Sequence, residues 1–410
     1  MRFASGGDRR LFLVVFAPVI IVYLATMRWV LPVNIDAFTN TLTAHYVGTT
    51  GAPYAVEHGE LITGDPAHQF SWFYETEQGP LSPYPPAGPY LAAPFYAVAG
   101  SELTSLRLTS TGYENSLLES STPPVWPGSL LAALSTAIAV GFLGLTFARL
   151  GSVGEALVGA WVAGFGTSLW SVAADQLWQH GPSVMFLAMA AYLTLTDREW
   201  WAGLAFGGAV LSRPQGAVVA LIVGLGLAWV RRSPMPAVRI GAGSLFGAGL
   251  LVGYHRRYSG EWTVIGGASL ESRLVGGSEI EQVGEIGGPL QTVLDYLWNV
   301  VQGVIGFDQG FLLWSPFLLI LLFGMRSAWP EIPRTVKVFA AAGVGFLLVQ
   351  YWIQTYGHDT YFGYRYPLEG LIALSLAFFA TAVTWRRGRP LVLGASALAV
   401  ALFAAGSITD

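Results

Sequence analysis

Asp36, Arg213 and Arg365 are the side chains whose types and positions suggest chemistry beside a membrane. Asp36 follows an apolar run at 11–31, Arg213 interrupts the apolar run at 200–230, and Arg365 lies between the last long apolar segments. A carboxylate can take a proton from a hydroxyl, and a planar guanidinium suits phosphate oxygens. The three residues together predict a site that activates a hydroxyl beside a phosphate.

Structural roles stay open for the first two of these residues. Asp36 would also cap a helix that begins near Ala37. Arg213 is followed by Pro214, which breaks a helix, and its side chain could simply reach the lipid headgroups from a tight turn. Against that simpler role, a broken helix end also frees N–H groups that bind phosphate.

Five further residues are candidates for substrate binding. Trp178 and His180 lie in the segment 175–180, His358 lies in 356–366, Arg257 follows an apolar segment, and Tyr84 offers an aromatic face. The histidines could bind a metal, but no His-Glu-x-x-His spacing supports this, and structural histidines are the simpler interpretation. We predict no cofactor and no metal ligand, although a divalent metal stays possible.

The elements that position these residues are apolar helices. Of 410 residues, 53% are hydrophobic and 11% are charged, against roughly 25% charged in soluble domains. The sequence therefore predicts an all-α, polytopic transmembrane bundle in a single membrane domain, 1–410, with about eleven spans. They lie at 11–31, 128–149, 152–172, 181–196, 199–211, 214–230, 237–254, 311–326, 335–354, 366–385 and 391–407.

The distribution of charge predicts the orientation in the plasma membrane. With the N-terminus in the cytoplasm, fourteen of the 21 basic residues fall in cytoplasmic turns and about 20 of the 25 acidic residues fall outside. Two extracytoplasmic loops result, at 32–127 and 255–310. The stretch 89–99 predicts an interfacial helix; if it crossed the membrane instead, every later loop would change sides.

Short motifs in this order resemble a known family. They are the outer aspartate Asp36, Tyr-Pro-Pro-Ala-Gly-Pro at 84–89, Trp-Gln-His at 178–180, Ser-Arg-Pro at 212–214, and Gly-Tyr-Arg-Tyr at 363–366. The pattern is similar to membrane glycosyltransferases of the GT-C superfamily, in particular the group of dolichyl-phosphate-mannose protein mannosyltransferases and rhizobial lipopolysaccharide glycosyltransferases. It extends over nearly the whole chain.

The resemblance implies inverting transfer of a sugar from a polyprenyl-phosphate donor to an extracytoplasmic acceptor, which would be a glycolipid, a polysaccharide or a protein. Asp36 would then be the base, and Arg213 or Arg365 would hold the donor phosphate. Relatives with a paired Asp-Glu or Asp-x-Asp in the first loop differ from this sequence, where Asn34 and Ala37 occupy the neighbouring positions.

Two other classes of protein compete with a transferase. A transporter or flippase for a lipid-linked or small polar solute is one, although the halves of the chain show no repeat and no matched broken helices. A non-catalytic membrane protein on the same scaffold is the other. Nucleic acid is not an expected partner, because the net charge is −4 and no basic run exceeds two residues.

Overall fold

The computed structural model describes residues 6–30, 35–56, 73–100, 104–109, 117–265, 289–353 and 362–409. This part of the chain is mostly helical, as an apolar membrane protein requires, because a helix satisfies its own backbone hydrogen bonds. The helices are α1 Gly6–Thr26, α2 Ile35–Thr50, α3 Ala87–Ala99, α4 Trp126–Phe147, α5 Val153–Phe165, α6 His180–Leu195, α7 Glu199–Ser212, α8 Gly216–Arg231, α9 Met235–Tyr258, α10 Pro289–Ile305, α11 Phe311–Trp314, α12 Pro316–Ala328, α13 Arg334–Ile353, α14 Leu368–Thr384 and α15 Arg389–Thr409.

Nine of the eleven predicted apolar segments lie largely on one helix each. The segment 152–172 is broken after α5, and 311–326 is divided between α11 and α12 at Ser315. Five of these helices in the described residues, α1, α4, α9, α13 and α15, are long and apolar enough to cross a membrane. Other apolar helices, such as α6 and α8, are shorter, at 16 residues each. The count of eleven spans therefore stays a prediction, while the membrane-helix character of the chain is supported.

The first long loop contains more structure than the sequence predicted. Helix α3 covers the stretch expected at the interface, and α2 begins close to the predicted Ala37. Two antiparallel hairpins were not predicted, β1 (Tyr74–Thr76) with β2 (Gly79–Leu81), and β3 (Thr104–Thr109) with β4 (Leu117–Thr122). Strands β1 and β2 have three residues each, too few for an alternating pattern, and β4 does not alternate apolar with polar residues.

Helix α10 lies within the second long loop and was also not predicted. The Tyr296 hydroxyl donates to the Leu348 carbonyl over 3.2 Å, near the end of α13. Just after α10, the Phe311 ring lies 6.2 Å from the ring of Tyr364, close to the start of α14. The 17 residues of α10 are about 25 Å long, and the five residues at 306–310 span at most about 18 Å. Tyr296 within α10 and Phe311 just after it thus contact residues near the end of α13 and the start of α14, which lie at the same end of the bundle. Because the linker between them is short, α10 lies along that end.

The two ends of the bundle carry different connections. At the turn end, short turns at 148–152, 196–198, 232–234 and 385–388 join the helices. At the loop end lie the described parts of the long loops, the turns at 166–179 and 213–215, the end of α13 and the start of α14. Arg149, after α4, pairs with Asp8 at the start of α1 over 2.6 Å, and Arg231, ending α8, pairs with Glu199 at the start of α7 over 2.5 Å. These pairs show that α1 runs antiparallel to α4 and that α7 runs antiparallel to α8.

Candidate functional site

Asp36 and Arg365 meet at the loop end of the bundle. Asp36 lies in the first turn of α2, and its Oδ2 is 2.9 Å from Nη1 of Arg365, which comes 329 residues later, just before α14. The Tyr84 hydroxyl donates to the other carboxylate oxygen. Burial, and then the charge of Asp36, raise the pKa of Tyr84 well above its usual value, so the hydroxyl stays protonated. The Asp36 side chain is 22% exposed, which leaves it accessible from the loop end.

Two aromatic rings hold the Arg365 guanidinium in place. Its central carbon lies 4.6 Å from the centroid of the Trp178 ring and 4.7 Å from that of the Tyr366 ring. Its Nη2 donates to the Tyr366 hydroxyl over 2.6 Å. A cation over aromatic faces keeps its charge while it is withdrawn from water. Because Trp178 is fully buried, it positions Arg365 and offers no open face to a sugar.

The segment that carries Arg365 is fixed by the break after α5. The Tyr364 amide donates to Oγ of Ser168 over 2.8 Å, and Ser171 donates to the Phe362 carbonyl over 2.6 Å. Ser171 belongs to a π-helical turn, Leu169–Ala173, a deformation common at functional sites. Gly363 has φ +99°, and a Cβ there would lie 2.4 Å from Ser168. Only glycine fits this close turn.

Arg213 is part of a second, more deeply buried cluster. Helix α7 ends at Ser212 as the Ser-Arg-Pro break predicted, and Arg213 takes an extended conformation there. Its Nη1 donates to Oε2 of Glu369 over 2.8 Å, and its Nη2 donates to the Gln350 side chain over 3.3 Å. Nδ1 of His180 lies 3.0 Å from Oε1 of Glu369 and 2.9 Å from Arg213. The charge of Arg213 is therefore already neutralised by Glu369.

The segment 175–180 joins the two clusters. The ring of Trp178, which lies under Arg365, has its centroid 6.3 Å from that of His180. Asn40 of α2 donates to the Leu177 carbonyl over 3.0 Å, and Arg28 pairs with Asp175 over 3.1 Å. Helices α1 and α2 are thus tied to the same segment, so that Asp36 is held at a defined distance from the buried charges.

The predicted site residues are distributed over three places. The structure brings Asp36, Tyr84, Trp178 and Arg365 together, and it places Arg213 with His180 in the adjoining cluster. Arg257 is exposed at the end of α9, with its guanidinium 5.6 Å from the Tyr258 ring centroid, and contacts neither cluster directly. His358 lies outside the described residues.

Glu369 and Gln350 were missed by the sequence analysis. Both lie in segments that were interpreted only as spans, and both are fully buried. A carboxylate inside an apolar run is costly in a membrane and marks functional sites, so that Glu369 was a signal available from composition alone. Its partner Arg213 lies 156 residues away and could not be inferred from spacing.

The arrangement offers one accessible carboxylate, Asp36, which is paired with Arg365. Beside it lies the buried ion pair of Arg213 and Glu369. In the described residues, no three His, Asp or Glu side chains gather as metal ligands. Comparison with protein-family models finds no match, and comparison with curated proteins finds none either.

Proposed function

We propose that the protein is an inverting glycosyltransferase that moves a sugar from a polyprenyl-phosphate donor to an acceptor outside the cytoplasm. The observation that carries the proposal is the pairing of Asp36 with Arg365 at the loop end, within reach of water. Transfer of a sugar from a phosphate needs a base for the acceptor hydroxyl, here Asp36, beside a cation that binds the donor phosphate, here Arg365. The excess of basic residues near the turn end supports a cytoplasmic turn end in the plasma membrane.

In the proposed reaction, the acceptor hydroxyl loses its proton to the Asp36 carboxylate while its oxygen bonds to the anomeric carbon. The bond from that carbon to the phosphate oxygen breaks, and its electron pair leaves with the polyprenyl phosphate. No general acid is required, because phosphate is a stable anion. Arg365 stabilises the charge that develops on the phosphate.

The contact between Asp36 and Arg365 implies an exchange of partners. In the free protein the guanidinium occupies one carboxylate oxygen and Tyr84 occupies the other, so both oxygens of Asp36 already accept a hydrogen bond. A donor phosphate is a competing anion for Arg365. When Nη1 turns to the phosphate, Oδ2 of Asp36 can take the proton of the acceptor hydroxyl. Arg213 contributes indirectly in this proposal, because Glu369 already neutralises it.

The proposal is tested by replacing Asp36 with Asn in cells that lack the native gene copy. Cells without the protein should accumulate a polyprenyl-phosphate sugar, measured by mass spectrometry of lipid extracts. The wild-type protein should remove it, whereas Asp36→Asn should slow turnover by about 10²–10⁴-fold. Asp197→Asn is the control, because Asp197 is an ion-paired carboxylate at the turn end, outside the proposed site. Transfer by Asp36→Asn at the control rate would exclude Asp36 as the base.

One observation favours a transporter as the second candidate. The buried group of Arg213, Glu369, His180 and Gln350 resembles the charged residues that line ion and proton paths through membranes. A transporter should tolerate Asp36→Asn and fail with Glu369→Gln, measured as uptake into vesicles that contain the purified protein. A transferase should lose turnover with Asp36→Asn and show no such uptake.

A further inference from the structure

A long apolar groove lies on the face of α14 opposite the two charged clusters. It has a volume of about 340 Å³ and runs between α4, α5, α12, α14 and α15. Its lining on α14 extends from Leu368 near the loop end to Val383 near the turn end. These positions are about 22 Å apart along a helix, more than half of the roughly 30 Å hydrocarbon core.

The inner wall of the groove suits a hydrocarbon chain. It is formed by residues such as Leu143, Val158, Leu318, Ile372 and Val392. Ser375 also faces the groove, but its hydroxyl donates to the Ile372 carbonyl of its own helix over 2.7 Å. Water in such a space would lack hydrogen-bond partners, whereas a methylene chain would lose nothing by entering it.

Among the described residues, the arginines that make no ion pair near the groove lie at its turn end. Arg389 lines it at the turn end and is neutralised by Glu155. Arg386 and Arg387 precede it, are exposed, and make no ion pair with other described residues. At the loop end, Arg365, just before α14, and Glu369, in its first turn, are engaged in ion pairs of the two charged clusters. The charge complementary to an anionic headgroup therefore lies at the turn end.

We infer that this groove binds one acyl chain of an anionic phospholipid, whose headgroup phosphate lies against Arg386 and Arg387 at the turn end. This lipid is distinct from the proposed donor, because its headgroup is held at the opposite end of the bundle from Asp36. The inference goes beyond the proposed function and does not require it.

Native mass spectrometry of the purified full chain with added phosphatidylglycerol or phosphatidylcholine tests this inference. We expect one tightly bound phosphatidylglycerol per chain and much weaker binding of phosphatidylcholine. Gly154→Leu should abolish tight binding, because Gly154 lines the mouth and a Cβ there meets nothing within 4 Å. Gly249→Leu is the matched control, because Gly249 is an exposed helical glycine outside the groove with equally open space.

The charge of the headgroup is tested separately. The double variant Arg386→Gln/Arg387→Gln should bind phosphatidylglycerol roughly thirtyfold more weakly, because each basic residue near an anionic headgroup contributes about a fivefold gain in affinity. Equal binding of both lipids by the wild-type protein, or undiminished binding by Gly154→Leu, would overturn the inference.

A cysteine reporter locates the lipid if Gly154→Leu does not fold. The sequence contains no cysteine, so Ser375→Cys provides a single thiol within the groove. Phosphatidylglycerol should slow its alkylation by a membrane-permeant maleimide, and phosphatidylcholine should not. An alkylation rate that phosphatidylglycerol leaves unchanged would contradict occupancy of the groove.

Discussion

The arginines of the ion pairs at the two ends of the bundle differ in how far they are removed from solvent. At the loop end, the side chains of Arg213 and Arg365 are 10% and 9% exposed. At the turn end, those of Arg149, Arg231 and Arg239 are 36%, 32% and 38% exposed. The same chemical pairing is thus made in two different environments.

The pairs at the turn end connect neighbouring turns and stay partly in water, whereas burial of the pairs at the loop end costs free energy. Withdrawal of a guanidinium and a carboxylate from water carries a desolvation cost that their attraction need not recover. A half-solvated pair avoids most of this cost and contributes little stability. Groups that a protein buries at such a cost are expected at functional sites, which agrees with the position of the proposed site at the loop end.

The largest effect on stability is expected from Glu369→Gln. This change leaves Arg213 buried without its counter-charge, so we expect the free energy of unfolding to fall by about 3–5 kcal/mol in a denaturant titration in mixed micelles. The double variant Glu369→Gln/Arg213→Gln should recover part of the loss, because the uncompensated charge is gone. A loss below about 1 kcal/mol for the single variant would remove the distinction between the ends.

A smaller loss is expected from Gly363→Ala in the segment that carries Arg365. The positive φ and the close approach of Ser168 should together cost about 1–3 kcal/mol and displace the guanidinium from Asp36. Gly100→Ala is the matched control, since Gly100 has φ +91° but open space around its Cα. Donor turnover should fall with Gly363→Ala and persist with Gly100→Ala; equal turnover in both variants would contradict the positioning role.

The smallest effect is expected from Glu199→Gln at the turn end. Glu199 accepts from Arg231 over 2.5 Å and from Arg239 over 2.9 Å, but both guanidinium groups can turn to water. We expect a loss below about 1 kcal/mol in the same titration, and less at high salt. A loss as large as that of Glu369→Gln would show that solvent exposure does not distinguish the two ends.

The helices could be predicted from the sequence, because long apolar runs need no distant partner to be recognised. The break at Arg213 was also predictable, since proline cannot continue a helix. Helix α10 and the two hairpins were not, because short or half-apolar stretches resemble ordinary loop sequence. The predicted grouping of Asp36 with Arg365 came from alternation of the helices, which places both residues at one end.

The order of residues along the chain is enough to define a membrane-helix protein whose acidic loops and basic turns lie at opposite ends. Hydrophobicity and charge act locally, so each segment reveals its own preference. The choice of partners was decided only by packing in three dimensions. Asp36 meets Arg365, and Arg213 meets Glu369, because helices distant in sequence converge at the loop end, and buried charges must find a counter-charge wherever the fold provides one.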